Sequence, residues 1–385
     1  MSRHRVSRRW LPRLAALVTL AVAAPLPPGD ARADSEVAAP APAPRKGPEI
    51  GYDPERGAYV RTADGAWELN PFGMVQLRNV TLLAPGEPLS TTFSLQAAKV
   101  ILRGHIFHPT VSYNLQLNAG SGRVVAEDVF LRWDPWRSVR LVAGQFPVPF
   151  NRQRITQDAH QELVERSIAD LRFSLQRDIG FAAWLSDPDH RFEATLGVWN
   201  GARQNSLNDD ETYMGTLRLA YNPLGPILFQ EADLADSRSP RLSIAVAGAY
   251  NPARVVKDPN GEAPPVELRN IVQGVFEMTF RYRGLSLTTE VHARRLEEAQ
   301  GPVRVDYGGF GQIGVFVLPR RLQFVGRFSA LDGDLSPQDT SREVTAGAGW
   351  YFHGHRFKIQ ADYSRLQTRD SRQTDRVRLQ LQAFF

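Results

Sequence analysis

From residue 57 to residue 385, apolar and polar side chains alternate along the chain with a period of two, in segments separated by turn residues. A period of two is the mark of β-strands, whose successive side chains point to opposite faces. In the last segment Val377, Leu379, Leu381, Ala383 and Phe385 share one face, against Arg376, Arg378, Gln380, Gln382 and Phe384. Val272, Phe276, Met278, Phe280 and Tyr282 oppose Gln273, Glu277, Thr279 and Arg281 in the same way. The pattern predicts strands over 71–82, 93–107, 109–119, 123–134, 137–146, 176–186, 190–200, 212–222, 241–250, 268–283, 285–296, 306–317, 321–331, 341–353, 356–367 and 374–385, about sixteen in all.

A soluble sandwich alternates as well, so three further features decide the class. The strands have the roughly 9–11 residues that cross a bilayer when tilted. Aromatics (Trp133, Trp136, Trp350, Tyr351, Phe384, Phe385) lie near segment ends, as an interfacial girdle requires. The chain ends in a strand closing on Phe385, like the C-terminal assembly signal of outer-membrane proteins. The expectation is an all-β fold: a transmembrane antiparallel β-barrel of about sixteen strands, an even number as single-chain barrels require. With both ends periplasmic, short turns (His108-Pro109, Asp134-Pro135, Asp187-Pro188, Arg283-Gly284, Leu318-Pro319, Gly354-His355) fall inside. Longer connections (83–92, 147–175, 201–211, 251–267, 297–305, 332–340, 368–373) fall outside. The exceptions are the short outer turn at 120–122 and a long inner stretch at 223–240. The longest connection, 147–175, is the third extracellular loop; it is expected to carry a helix over Asp158–Leu171 and to fold into the lumen.

The extreme N-terminus reads as an export signal. Arg3, Arg5, Arg8, Arg9 and Arg13 precede a short apolar run, Leu14–Ala24, and Ala31-Arg32-Ala33 is a small-x-small cleavage site. Residues 1–33 form the signal peptide, 34–56 an Ala/Pro-rich flexible periplasmic segment, and 57–385 the barrel. Six of the 46 basic residues and one of the 41 acidic ones lie in 1–33, so the mature chain holds 40 of each. The basic character of the full chain therefore belongs mostly to the signal and does not argue for nucleic acid. Without cysteine, disulfides and an N-terminal lipidated cysteine are excluded.

Four ordered segments carry a resemblance. Arg140-Leu-Val-Ala-Gly-Gln-Phe-Pro-Val-Pro-Phe150 resembles a "GQFKVPFG" turn, Val164-Glu-Arg-Ser167 an "LERS" segment, Gln176-Arg-Asp-Ile-Gly180 a "GRDIGV" segment and Gly197-Val-Trp-Asn-Gly201 a "GVFNG" segment. All four are features of the phosphate-selective porin O and P family. The resemblance covers about 140–201, and the strand pattern extends it over 57–385. It implies an outer-membrane porin, a passive diffusion channel for small hydrophilic solutes, possible phosphate or polyphosphate passage, and a homotrimer. Asn151 stands where the family usually has glycine, and none of Lys46, Lys99, Lys257 and Lys358 maps onto the family's lysine site.

By alternation the inward cations are Lys99, Arg103, Arg132, Arg140, Arg218, Arg281, Arg294, Arg327, Lys358, Arg376 and Arg378, against the acids Asp128, Glu277, Glu290, Glu343 and Asp362. A wall with that excess attracts anions, and guanidinium offers a fixed fork of donors to oxyanions. Pairing with the acids is the competing reading. Arg152, Arg154, Arg166 and Arg172 are candidates for a constriction on the third loop, where Glu162 and Glu165 oppose them. Gly309-Phe-Gly-Gln-Ile-Gly314 spells a nucleotide fingerprint, but no helix follows it. His353 and His355 are expected at an exposed turn tip. No nucleophile elbow or triad is recognisable, so no enzyme and no cofactor are expected. The alternatives are a structural or adhesive outer-membrane barrel and an outer-membrane enzyme; ion conductance separates a channel from both. The partners expected are outer-membrane lipid, lipopolysaccharide, the barrel-assembly machinery and small anions.

Overall fold

A computed structural model describes residues 47–53, 57–120, 122–208, 211–256, 266–298, 301, 303–333, 340–369 and 372–385. The expected signal peptide and the Ala/Pro-rich run up to residue 46 lie outside the described residues. The chain forms a short hairpin, β1 (Glu49–Asp53) and β2 (Gly57–Arg61), followed by sixteen barrel strands. These are β3 (Glu68–Leu83), β4 (Ser90–Ile106), β5 (His108–Asn118), β6 (Val125–Trp136), β7 (Val139–Pro147), β8 (Arg177–Ser186), β9 (Phe192–Trp199), β10 (Met214–Tyr221), β11 (Arg241–Val256), β12 (Val266–Tyr282), β13 (Leu285–Glu298), β14 (Val303–Leu318), β15 (Leu322–Asp332), β16 (Ser341–His353), β17 (Phe357–Thr368) and β18 (Gln373–Phe384). Every predicted strand is present.

Each barrel strand pairs antiparallel with its sequence neighbours, and β18 closes on β3 from Asp375↔Leu83 to Phe384↔Met74. The closed ladder leaves no unpaired edge, which a bilayer demands because it offers backbone groups no water. The inside is polar and the outside apolar. On β12 Gln273, Glu277, Thr279 and Arg281 are buried while Val272 and Phe276 stay exposed; on β18 Arg378, Gln380 and Gln382 are buried while Val377, Leu379 and Leu381 are exposed.

Three expectations need correction. Glu49–Asp53 is a strand, not part of a flexible segment: it pairs with β2, and the Tyr59 hydroxyl donates to Glu49 Oε1 at 2.9 Å. Its few residues are too short to register as a bilayer-crossing strand. Of the girdle aromatics, Trp133, Trp136 and Trp350 face outward, but Tyr351 is buried and donates to Gln323 Oε1 at 2.8 Å, and Phe384 stacks inward on Phe72 at 5.6 Å. The expected helix over Asp158–Leu171 is instead two short helices, α1 (Arg152–Ile155) and α2 (Ile168–Phe173), with a single 3-10 turn at Asp158–His160 between them.

Candidate functional site in the barrel lumen

The connection from Pro147 to Arg177 is built into the lumen. Arg172, in its last helix, pairs with Asp306, and its carbonyl accepts from Arg294 of β13. Glu162, at its far point, accepts from Ser286 of the same strand. Arg294 and Ser286 are eight positions apart, so the connection runs roughly 27 Å along the barrel at about 3.3–3.4 Å per residue.

Buried wall carboxylates seat its root. Glu290 accepts from Gln153 N at 2.6 Å and Asn151 Nδ2 at 2.9 Å, and Glu277 accepts from Arg152 N at 2.7 Å. Asn151, where the resemblance led one to expect glycine, is thus a clamp; it also donates to Asp170 Oδ1 at 2.8 Å. Ser167 caps α2 by accepting from Asp170 N, and its hydroxyl donates to Gln153 Oε1 at 2.6 Å. Between the two helices, Val164 N donates to Asp362, and Lys358 and Gln360 donate to the Gln161 carbonyl. Two wall glycines leave room for this chain. A Cβ on Gly347 would lie 2.7 Å from Leu163, and one on Gly314 would lie 2.6 Å from Glu162 Oε1. The glycines of the apparent nucleotide fingerprint therefore sit in a strand, one of them as a seat.

The four segments that carried the resemblance meet here. Gln145 donates to the Ala126 and Glu127 carbonyls; Phe146 packs edge-on against Trp199 at 4.9 Å; Asp178 accepts from Gly201 N at 2.9 Å. Around them Val142, Val148, Phe150, Ala182, Met214 and Val275 form a packed apolar core inside the barrel along β7 to β12.

On the opposite side, between the connection and β3 to β6, a polar cavity of about 230 Å³ remains. Four guanidiniums line it, Arg78, Arg154, Arg166 and Arg177, with three carboxylates, Glu127, Asp158 and Glu165. Arg78 Nη1 lies 2.7 Å from Glu165, Arg166 Nη1 2.6 Å from Asp158, and Lys99 Nζ bridges Glu127 and Asp158 at 2.7 and 2.8 Å. Burial opposes the charge on Asp158, but Arg166 and Lys99 outweigh it and hold its carboxyl well below the usual carboxylate range.

Of the eleven predicted wall cations, seven are ion-paired: Lys99 as above, Arg132 and Arg140 with Asp134, Arg218 with Glu277, Arg294 with Asp306, Arg327 with Glu343 and Arg378 with Asp362. Arg103 (over the Phe72 ring at 3.9 Å), Arg281, Lys358 and Arg376 form no ion pair with a described residue. The expected basic excess of the wall is thus largely offset. Among the loop candidates Arg154 and Arg166 face the cavity, whereas Arg152 is buried and donates to the Leu228 carbonyl at 2.8 Å, and Arg172 lies near Asp306. Burial, with Arg281 nearby, pushes the Arg152 guanidinium down to about 9, so it remains charged at neutral pH. His355 does not occupy an exposed tip: its ring nitrogens are buried, and the ring lies 4.8 Å from that of His160.

Sequence reasoning missed Arg78, Glu127 and Arg177. Glu127 and Asp128 both turn inward because β6 bulges against Gln116, between Leu115↔Val129 and Leu117↔Ala126. A bulge places two residues opposite one and breaks the alternation. Among the described residues no cluster of three metal-ligating side chains is present.

Residues 89–225 match the family described as phosphate-selective porin O and P, which confirms the resemblance read from 140–201. Solved structures of the same fold include an anion-selective porin from Comamonas acidovorans (10% identity, TM-score 0.58, covering 83% of this chain and 100% of that one). The outer membrane channel DcaP of Acinetobacter baumannii is similar to the same degree (10%, 0.57, 83% and 98%). So is in-vitro folded OmpT of Vibrio cholerae in a trimer form (9%, 0.57, 83% and 100%). No curated protein matches the chain.

Proposed function

We propose that this chain, a porin-type β-barrel of the outer membrane whose central segment matches the phosphate-selective porin O and P family, passes small hydrophilic solutes with a preference for anions. It works as a passive channel and carries out no catalysis. The observation behind the preference is the cavity between the third connection and β3 to β6, where four guanidiniums stand against three carboxylates. Each guanidinium has a carboxylate within ion-pair distance, but in a narrow passage water screens charges incompletely, so the four donor forks that face the cavity bias which ions enter. The anion-selective porin of Comamonas acidovorans, which shares the fold, points the same way, and phosphate as the natural solute rests on the match to the phosphate-selective family.

The test is a reversal potential across a planar bilayer under a salt gradient. The wild type should favour anions. Replacing Arg78 and Arg166 together by alanine leaves two guanidiniums against three carboxylates at the cavity, and selectivity should turn towards cations. A wild-type channel without anion preference would defeat the reading.

The trimer form of the Vibrio cholerae neighbour supports a homotrimer here as well. Chemical cross-linking in detergent should then give a ladder ending at three copies; a ladder ending at one copy would exclude it.

A further inference from the structure

At the barrel end that carries the short turns, one connection stands apart. Between Tyr221 of β10 and Arg241 of β11 the chain does not turn back directly but crosses the mouth of the barrel. Asp233 accepts from Gly284 N, in the β12–β13 turn, at 2.9 Å, and Arg283 N donates to the Ser237 carbonyl at 2.9 Å. Farther round the wall, Ala232 is fully buried against Phe316 of β14 and Tyr351 of β16.

This crossing meets the third connection head-on inside the lumen. Glu231 N donates to the His160 carbonyl at 3.0 Å, and the buried Glu231 carboxylate accepts from Gln153 Nε2, Glu162 N and wall residue Gln312 at 3.0, 2.9 and 3.0 Å. Arg152 donates to the Leu228 carbonyl and covers the Phe229 ring at 4.7 Å. A chain entering from each end of the barrel, joined by one buried carboxylate, makes a continuous septum.

We propose that the connection between Tyr221 and Arg241 is a strap that closes the β10–β16 side of the lumen at the short-turn end, with Glu231 as its latch to the third connection. Solutes are thereby confined to the passage beside β3 to β6. The proposal rests on the channel reading of the previous subsection. The latch is held by one side chain making three accepted bonds, so a single substitution should loosen it while the wall ladder stays intact.

The experiment records single channels in planar bilayers for the wild type, for Glu231→Ala, and for a variant with residues 226–232 replaced by Gly and Ser at equal length. Heat-modifiable electrophoretic mobility confirms that each is folded. The replacement should raise conductance about twofold or more, because current follows the open cross-section, and Glu231→Ala should flicker to that higher level. A second readout uses the absence of native cysteine: Ala232→Cys should resist a water-soluble thiol reagent in the otherwise wild-type chain and react when Glu231→Ala is added. A conducting wild type with unchanged conductance in both variants, or Ala232→Cys equally reactive with and without Glu231→Ala, overturns the strap alone. No conductance from the wild type or from the folded replacement variant would remove the channel reading and the strap with it.

Discussion

Removing Phe385 should lower the amount of folded barrel in the outer membrane by about tenfold. The last residue exchanges two backbone bonds with β3: Phe385 N donates to Gly73 O at 2.9 Å and Gly73 N donates to Phe385 O at 2.6 Å. Its ring lies over Gly73, where an added Cβ would be 2.5 Å from the ring edge. Two bonds at roughly 1 kcal/mol each, plus the ring contact, exceed the 1.4 kcal/mol that makes a factor of ten. They also sit at the one seam that must find its partner across the whole chain, where an unpaired edge is left if they fail. Gly73→Ala should fail for the opposite reason, by crowding, and the pair Gly73→Ala with Phe385→Ala should recover part of the loss. The heat-modifiable fraction on electrophoresis measures each variant. Full folding of the truncated chain would show that closure does not need its terminal residue, and failure of the pair to recover would remove the steric part of the argument.

The strands were legible because membrane and lumen impose opposite solvents on the two faces, so alternation persists along the wall except where a bulge interrupts it. The site was less legible for three physical reasons. The bulge at Gln116 turns Glu127 inward against the period. The connection places Asp158, Glu162, Asp170 and Arg166 in the lumen through tertiary contacts, and Asp158 there pairs with Lys99, while Asp134 and Asp306, absent from the strand-by-strand count, offset Arg132, Arg140 and Arg294. Arg152 reads as a constriction-loop cation in the sequence and is instead a buried support, because the chain beyond Tyr221 returns to cover it. The four family-like segments located the site better than charge counting did. They hold the root of the connection, where Asp178, Gly201, Gln145 and Ser167 make bonds that depend on residue type.

Releasing that root should change conduction more than any charge substitution in the cavity. Glu277 and Glu290 are buried side chains of β12 and β13, and neither contributes a backbone bond of the wall through its carboxylate. Between them they accept from Arg152 N, Gln153 N, Asn151 Nδ2 and the Arg218 guanidinium. Replacing both with alanine strips Arg152 N, Gln153 N and the Arg218 guanidinium of their acceptor at roughly 1–3 kcal/mol each and leaves Asn151 only Asp170, more than α1, one turn long, can hold by packing. Its start should therefore leave the wall and the lumen should widen. Single-channel conductance should rise, and the anion preference should fall as Arg154 and Arg166 move from the passage. Glu343→Gln is the control: Glu343 pairs with Arg327, but Arg327 also holds the Glu165 carbonyl at 2.8 Å, so the connection keeps that anchor and conductance should stay near the wild-type level. Equal conductance in the wild type and the Glu277→Ala/Glu290→Ala variant would show that the connection does not set the width of the passage, and the cavity beside β3 to β6 would lose its claim to be the conducting path.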